Sequence, residues 1–289
     1  MDDLRHDTPL GKRGRGEGMI GIRQLLERLA LRTLRLRATQ IAELANNPLV
    51  TVYPRELSFD GPPIRVLLLT PHADDETFGA GGTLRRHLEK GDQVEVLLFS
   101  DNIASIDDDT RSAEQKRELR EEEFARAMER LGIARWTALR IGNPDFRKGV
   151  YPHFAFASLI ENHPDVLYLP SLFDNHHDHR MLNGWLLRTL RDHGDLRPVI
   201  RGYEVWSPLP ATVVADITER IDRKRDAIRC YASQNAVIDY QHHIEGLNAY
   251  RAMTLGGRRA RYAEAFLELP ADLYLELGNS FVLSYIDIC

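Results

Sequence analysis

Two short stretches concentrate acid and histidine side chains in this 289-residue chain. The first reads PHADDE at residues 71–76, and the second reads HHDH at residues 176–179. Three adjacent carboxylates repel one another, and burial at the end of a strand adds a desolvation cost. A bound cation would offset both costs, and histidine with carboxylate is a common ligand set for zinc. The two stretches together therefore predict a divalent metal site.

The spacing within the first stretch narrows the ligand set. His72 and Asp75 lie three residues apart across a predicted tight turn, so one side chain of each could reach one ion. The third ligand should come from the histidine stretch. Two acids then remain near the ion, where a carboxylate is a natural general base towards a water molecule.

Each residue taken singly has a simpler interpretation. His72 alone would be a hydrogen-bonded surface histidine, and Asp74 or Asp75 alone would cap the following helix. The HHDH stretch alone would be a solvated loop. The metal site is favoured because both stretches follow apolar strands, which brings them to one edge of a sheet.

Apolar strands alternate with helical segments along the chain, a pattern typical of an α/β fold. It predicts a Rossmann-like, mostly parallel sheet with helices on both faces, which binds ligands beyond the carboxyl ends of its strands. The GAGG segment at residues 79–82 is not a dinucleotide fingerprint and predicts close packing of a helix on a strand. The predicted strands cover residues 64–69, 93–100, 137–141, 166–170, 199–205 and 212–217, and the predicted helices cover 78–90, 110–131, 180–193 and 219–232.

The composition indicates which broad class of protein this chain belongs to. The chain is 43% hydrophobic and 28% charged, with a net charge of −5, which suits a globular protein and does not indicate nucleic-acid binding. No apolar run approaches the roughly 18 residues of a membrane span, and no signal peptide is visible, so we expect a cytoplasmic protein. Two cysteines predict no disulfide framework. The oligomeric state stays open.

The chain divides into three predicted parts. Residues 1–18 are polar and predicted to be mobile, residues 19–60 form an N-terminal helix and connector, and residues 61–289 form one α/β domain. Helical spacing covers residues 19–45, which also carry several arginines. We expect this helix to pack on the α/β body; the alternative is an interfacial helix on an anionic membrane.

The two stretches resemble the (P/A)HPDDE and HPDH motifs of the PIG-L/LmbE family of zinc-dependent N-deacetylases. The resemblance runs from about residue 64 to about residue 266. Ala73 and His177 stand where the family pattern has proline, which removes no ligand. Further similar positions are Arg120, Glu123 and Leu131-Gly132, the GNPD segment at 142–145, Lys224, Ser233-Gln234 and the YAEAF segment at 262–266.

The resemblance implies a role for each site residue. It implies metal ligation by His72, Asp75 and His179, with Zn²⁺ as the expected ion and another divalent metal as the alternative. Asp74 is the implied base and Asp178 the implied support of an active-site histidine. His176 is implied either to steady the oxyanion or to protonate the leaving amine, and Arg120 and Asp145 are implied to contact the sugar.

The implied reaction is hydrolysis of an N-acetyl group on a 2-acetamido sugar conjugate, which yields acetate and a free amine. Two rival hypotheses are a non-catalytic metal- or sugar-binding protein on the same fold and a ferrous oxygenase, since two histidines and one carboxylate also suit non-haem iron. The sequence does not determine which conjugate is the substrate.

Overall fold

The computed structural model describes residues 53–107, 110–257 and 259–281. These residues fall within one compact unit that spans Pro48–Cys289. The predicted polar N-terminus at 1–18 and the predicted helix at 19–45 lie outside the described residues.

One mixed sheet contains the strands of the described chain. Its order is β1-β7-β8-β6-β5-β2-β3-β4, and the neighbouring pairs are parallel except for β8, which runs antiparallel to both β6 and β7. The strands are β1 Arg55–Glu56, β2 Arg65–Thr70, β3 Gln93–Ser100, β4 Arg135–Ile141, β5 Val166–Pro170, β6 Val199–Tyr203, β7 Val213–Asp216 and β8 Ala263–Pro270.

Helices connect these strands and cover the sheet. Short 3₁₀ turns accompany them at Ile103–Ser105, His153–Phe156, Thr218–Arg220 and Met253–Leu255. The helices are α1 Asp75–Lys90, α2 Ala113–Leu131, α3 Asn143–Arg147, α4 Ala157–Asn162, α5 His177–Asp192, α6 Ile221–Cys230, α7 Ala232–Asn235, α8 Tyr240–Ala252 and α9 Ala271–Phe281. None of the described helices is long and apolar enough to cross a membrane.

The sheet is buried on both faces because its central strands are apolar throughout. In β2, Leu67 and Leu69 point into one hydrophobic core, whereas Val66 and Leu68 point into the other. This two-sided burial accounts for continuous apolar strands rather than alternating ones.

Local signals set the helix boundaries. Ser112 and Gln115 form a capping box at the start of α2, which satisfies backbone donors that lack helical partners. α1 ends at Gly91, whose φ of 94° is a left-handed conformation that favours glycine. Gly79 confirms the predicted helix–strand packing, because a Cβ there would lie 2.2 Å from Cδ2 of Tyr203 in β6.

The sheet has a topological switch point between β2 and β5. From β2 the chain proceeds to β3 and β4 on one side, and β5 and β6 lie on the other side. Both predicted motifs leave the carboxyl ends of these two adjacent strands, the position at which α/β sheets bind ligands. The predicted fold class is confirmed, although the sequence patterns did not indicate β1, β8, α8 or α9.

Candidate metal centre and active site

A cavity of about 350 Å³ opens at the carboxyl ends of β2 and β5. Side chains of both motifs line it, together with residues that follow β3, β4 and β6. The lining consists of His72, Asp74, Asp75, Phe78, Ser100, Asn102, Ala104, Ser105, Arg120, Asn143, His176, His177, Asp178, Val205, Trp206, Gln234 and Tyr240.

The turn after β2 points its two aspartates in different directions. Asp74 has a φ of 136°, which is strained for a residue other than glycine. The turn is held because Ala73 N–H donates to Asn102 Oδ1 at 2.9 Å and Asp74 N–H donates to Glu76 Oε2 at 3.1 Å. Asp75 consequently faces the histidines, and Asp74 faces Arg120.

Two histidine nitrogens converge on one oxygen of Asp75. His72 Nδ1 lies 3.0 Å from Asp75 Oδ2, and His179 Nε2 lies 3.1 Å from the same atom. Ligand atoms bound to one tetrahedral ion at about 2.0–2.1 Å are about 3.3 Å apart. The separations therefore fit a small divalent ion held by His72, Asp75 and His179.

The other nitrogen of each histidine also faces a carboxylate. His72 Nε2 lies 3.0 Å from Asp178 Oδ2, and His179 Nδ1 lies 3.3 Å from Asp174 Oδ1. Outer carboxylates of this kind fix the orientation of metal-binding histidines. A ring with carboxylates at both nitrogens needs either two protons or one proton and a cation.

The pKa values of His72 and His179 are raised because the surrounding carboxylates favour positive charge on both rings. Burial lowers the pKa of His72, but Asp178 and Asp75 raise it to about 10. Burial likewise lowers the pKa of His179, whereas Asp75 and Asp174 raise it to about 9. A divalent ion in place of the two protons that face Asp75 would supply the same charge, so these residues fit a metal.

A second ligand combination shares two of these histidines. Nitrogen atoms of His72, His176 and His179 lie within 4.8 Å of one another, so three histidines could bind a metal. His177 lies outside this convergence: its side chain is 46% exposed, and its Nδ1 lies 3.1 Å from Asp178 Oδ1. The candidate ligands are thus His72 and His179 with either Asp75 or His176.

Asp74 lies beside the convergent group and is held by a buried arginine. Arg120 Nη2 donates to Asp74 Oδ2 at 3.0 Å and also to the carbonyl oxygen of Ala73, and Arg120 Nη1 donates to Glu123 Oε2 at 2.6 Å. Burial raises the pKa of Asp74 to about 7, since the opposing effect of Arg120 is partly offset by Asp75 and Glu76. A carboxyl group with this pKa can both accept and return a proton near neutral pH.

His176 has one nitrogen committed to the backbone. It occupies the N-cap of α5, and its Nδ1 accepts the Asp178 N–H at 3.3 Å. In the neutral ring the proton then resides on Nε2. Burial lowers the pKa of His176 to about 4, and positive charge on His72 and His179 acts in the same direction. A neutral hydrogen-bond donor is therefore the form of this ring at neutral pH.

Glu76, the third acid of the first motif, faces inward. Its carboxylate accepts the hydroxyls of Thr77 and Tyr231 and the backbone N–H of Asp74. Its side chain is fully buried. Glu76 therefore stabilises the turn through hydrogen bonds on its buried side. Asp75 points towards the histidines, and Asp74 points towards Arg120.

The two predicted sugar-contacting residues have different environments. Arg120 lines the cavity but is fully buried, with its guanidinium bonded to Asp74 and Glu123. Asp145 is exposed and is absent from the described lining, to which its neighbour Asn143 contributes.

Sequence reasoning assigned no role to three residues that organise the site. Asp174 accepts the backbone N–H groups of His176 and Trp206 and faces His179. Asn102 holds the turn after β2, and Trp206 lines the cavity. Each follows the carboxyl end of a parallel strand. Ligands bind at that edge of an α/β sheet, so a search of the residues after β3, β5 and β6 could have identified them.

The resemblance inferred from the two motifs is confirmed by a family comparison. Residues 67–189 match the family model described as PIG-L, GlcNAc-PI de-N-acetylase. Diacetylchitobiose deacetylase of Thermococcus kodakarensis is 28% identical over 120 residues. That alignment covers 40% of this chain and 45% of the relative, so it spans less than half of the relative's length.

Solved structures share the fold. N,N'-diacetylchitobiose deacetylase from Pyrococcus horikoshii, in complex with an inhibitor, has a TM-score of 0.63 at 20% identity, covering 82% of this chain and 94% of that one. GalB, the 4-carboxy-2-hydroxymuconate hydratase of Pseudomonas putida, has a TM-score of 0.56 at 21% identity, covering 71% and 96%. A deacetylase and a hydratase thus share this fold, so the fold alone does not determine the reaction.

Proposed function

We propose that this chain, which belongs to the PIG-L family, is a zinc-dependent hydrolase that removes the N-acetyl group from a 2-acetamido sugar compound. The products are acetate and a free amine. The single observation that carries the proposal is the position of Asp74. It is a buried carboxyl group with a pKa near neutrality, held by Arg120 beside convergent metal-ligating side chains in an open cavity.

His72, Asp75 and His179 would hold the ion. A set of two histidines and one carboxylate leaves an open position on zinc, as catalytic sites require. When bound, zinc supplies Lewis acidity, which polarises a carbonyl group and lowers the pKa of water. Asp178 and Asp174 orient the two histidines from behind.

Asp74 acts as the general base. It takes a proton from the attacking water, and Arg120 keeps the carboxylate in place through the contact at 3.0 Å. The same carboxyl group, once protonated, can return the proton to the departing amine nitrogen. The proposed role of Arg120 is therefore to position Asp74, since its guanidinium is already bonded within the protein.

His176 donates a hydrogen bond to the oxygen on which negative charge develops. The bond from Asp178 N–H to Nδ1 places the ring proton on Nε2, and the lowered pKa keeps the ring neutral. Of the two roles implied by the resemblance, stabilisation of the oxyanion fits this environment better than proton donation.

An acetylated sugar is the substrate class that the family supports. The family description names a GlcNAc-PI de-N-acetylase, and the T. kodakarensis relative is a diacetylchitobiose deacetylase. The cavity is compatible, because its lining combines aromatic and apolar side chains with hydroxyl and amide groups.

Acetate release from purified protein tests the proposal. Zinc-loaded protein should release acetate from at least one member of a panel that contains a disaccharide, an inositol conjugate, a nucleotide sugar and an aminoglycoside precursor, each with an N-acetylglucosaminyl group. A chelator should abolish release, and added zinc or cobalt should restore it. Acetate release that survives complete metal removal would refute the mechanism.

Two further measurements separate the rivals. Binding of panel members without acetate release by the metal-loaded protein would favour a binding protein. Turnover that stops under anaerobic conditions would favour an oxygenase.

A further inference from the structure

Trp206 presents an exposed aromatic surface inside the cavity. It is 51% exposed, and among the exposed large apolar side chains of the described residues it is the one that lines the cavity. Exposed tryptophan surface is costly in water, and when it lies within a cavity it marks a contact for a ligand.

The backbone at Trp206 is tied to the metal-ligating group. Its N–H donates to Asp174 Oδ2 at 3.0 Å, and Asp174 Oδ1 accepts His176 N–H at 2.9 Å and faces His179 Nδ1. One buried carboxylate thus fixes the backbone at the tryptophan relative to the two histidines. Such an anchor is preorganised, which lowers the entropic cost of binding.

Other aromatic rings extend this surface. The Trp206 ring lies 6.4 Å from the His176 ring at an interplanar angle of 20°, and 6.2 Å from the Tyr240 ring at 79°. Tyr240 in turn stacks on Phe78 at 4.8 Å. We name Phe78, Trp206 and Tyr240 the aromatic wall of the cavity.

The remainder of the lining disfavours an anionic group next to this wall. Arg120 is the one lysine or arginine among the described lining residues, and Asp74 and Glu123 already neutralise it. Neutral hydroxyl and amide residues complete the lining, including Ser105, Asn143 and Gln234. The chemistry suits a neutral polyol with one apolar face.

We propose that Trp206, supported by Tyr240, is a stacking subsite for the pyranose ring that carries the acetamide. This inference rests on the proposed function, since that function supplies the sugar. One face of a pyranose presents C–H groups, which pack against the electron-rich face of an indole ring. The acetyl carbonyl lies only a few bonds outside that ring, and the centroids of the Trp206 and His176 rings are 6.4 Å apart. A sugar stacked on Trp206 can therefore place its own acetyl group near His176, so the reacting sugar itself occupies the subsite.

Substrate comparison tests the subsite. In Trp206→Ala, the ratio of kcat/KM for an N-acetylglucosaminide to kcat/KM for an acyclic acetamide should fall about tenfold, the equivalent of about 1.4 kcal/mol of lost stacking. The loss should appear mainly in KM, because stacking acts equally on ground and transition states. Trp206→Phe should recover part of the ratio. Phe154→Ala, which removes an exposed aromatic ring outside the lining, should leave the ratio unchanged.

A binding measurement keeps the subsite testable if acetate release fails. Titration of the protein with an N-acetylglucosaminide should quench tryptophan fluorescence in the wild type, and Trp206→Phe should remove the quenching. Calorimetry should show about tenfold weaker binding to Trp206→Ala. Binding without turnover would overturn the proposed hydrolase and leave the subsite intact.

An unchanged substrate ratio in Trp206→Ala, or quenching and affinity that persist without this indole, would overturn the subsite. Equal losses on the glycoside and the acyclic acetamide would do the same, since they would point to a general disturbance of the cavity.

Discussion

Two histidine–carboxylate clusters adjoin the same sheet, and they differ in whether the protons of their neutral histidines can satisfy the nearby carboxylates. The cavity cluster contains His72, Asp75, Asp174, Asp178 and His179 at the carboxyl ends of β2 and β5. The core cluster contains His87, Asp92, Tyr168, Arg201 and Glu268 in the interior, and its Asp92 directly precedes β3. Both contain close histidine–aspartate pairs. His72, Asp75 and Asp178 of the first cluster line the described cavity, whereas no member of the second does.

Every proton of the core cluster can be placed without a bound metal ion, because Arg201 within it and Lys90, whose Nζ lies 2.9 Å from Asp92 Oδ1, supply positive charge. Arg201 Nη1 donates to the Tyr168 hydroxyl at 2.7 Å, and that hydroxyl can donate to His87 Nε2 at 2.9 Å. The Nδ1–H of His87 then donates to Asp92 at 2.6 Å. Burial lowers the pKa of His87 to about 4, so the neutral ring that this chain of bonds requires is also the stable one.

The cavity cluster has more carboxylates than its histidines can satisfy in neutral form. His72 and His179 each face two acids, and Asp75 Oδ2 is shared between them. The comparison teaches that a close histidine–aspartate pair does not by itself indicate a metal site. A surplus of negative charge next to an open cavity does.

The largest expected effect concerns Asp74, the proposed base beside the cavity cluster. Asp74→Asn should retain the metal and lower kcat by about 10²–10⁴, because the amide has nearly the same shape but cannot accept a proton. Metal content and turnover should be measured on one preparation. Asp92→Asn in the core cluster is the matched control, expected to lower the melting temperature without a comparable loss of kcat. Wild-type turnover by metal-replete Asp74→Asn would show that another group is the base.

Metal affinity distinguishes the histidines. His179→Ala should weaken metal binding by more than about 100-fold, because two protein ligands remain of three. His177→Ala and, in the core cluster, His87→Ala should retain the metal. Titration with a competing chelator measures these affinities, and His176→Ala tests the three-histidine alternative. A site emptied by His177→Ala instead would place the ligands in HHDH two residues earlier.

A smaller effect on metal affinity is expected when a carboxylate that contacts a proposed ligand is replaced. Asp174→Asn should weaken metal binding by about 10–100-fold, since the amide no longer supplies the charge that orients His179. Its single amide oxygen can accept only one of the two backbone N–H groups that Asp174 accepts on separate oxygens, those of His176 and Trp206. The melting temperature should therefore be measured alongside metal affinity. Unchanged metal affinity would restrict Asp174 to a purely structural role in this loop.

The smallest effect concerns the pH dependence of the core cluster. The pKa of His87 falls from 6.5 to about 4 on folding, so the unfolded chain binds one more proton between these values. The free energy of unfolding should therefore decrease as pH falls from 6.5 to 4, by up to about 1.4 kcal/mol per pH unit. His87→Gln should reduce this slope. Urea unfolding at several pH values measures it, and equal slopes in both proteins would show that His87 is not neutral when folded.

The residue pattern by itself determined the class of fold and the place of the site. Continuous apolar strands predicted a parallel sheet, and polar stretches after two of them predicted a shared edge. This reasoning needs only local periodicity and the geometry of parallel strands, which are properties of short segments. The antiparallel β8 escaped it, because Glu264 and Glu268 interrupt its apolar run.

Tertiary structure decided which atoms face each other. His72 meets Asp178 across 106 positions of sequence, and Arg120 reaches Asp74 across 46. The adjacency of β2 and β5 and the docking of α2 create these contacts, and no spacing along the chain encodes them. The same holds for the aromatic wall, since Trp206 and Tyr240 meet only after β6 and α8 have packed around the cavity. The chain therefore specified the candidate ligands locally, whereas their proton balance, the support of the proposed base and the shape of the cavity arise from long-range packing.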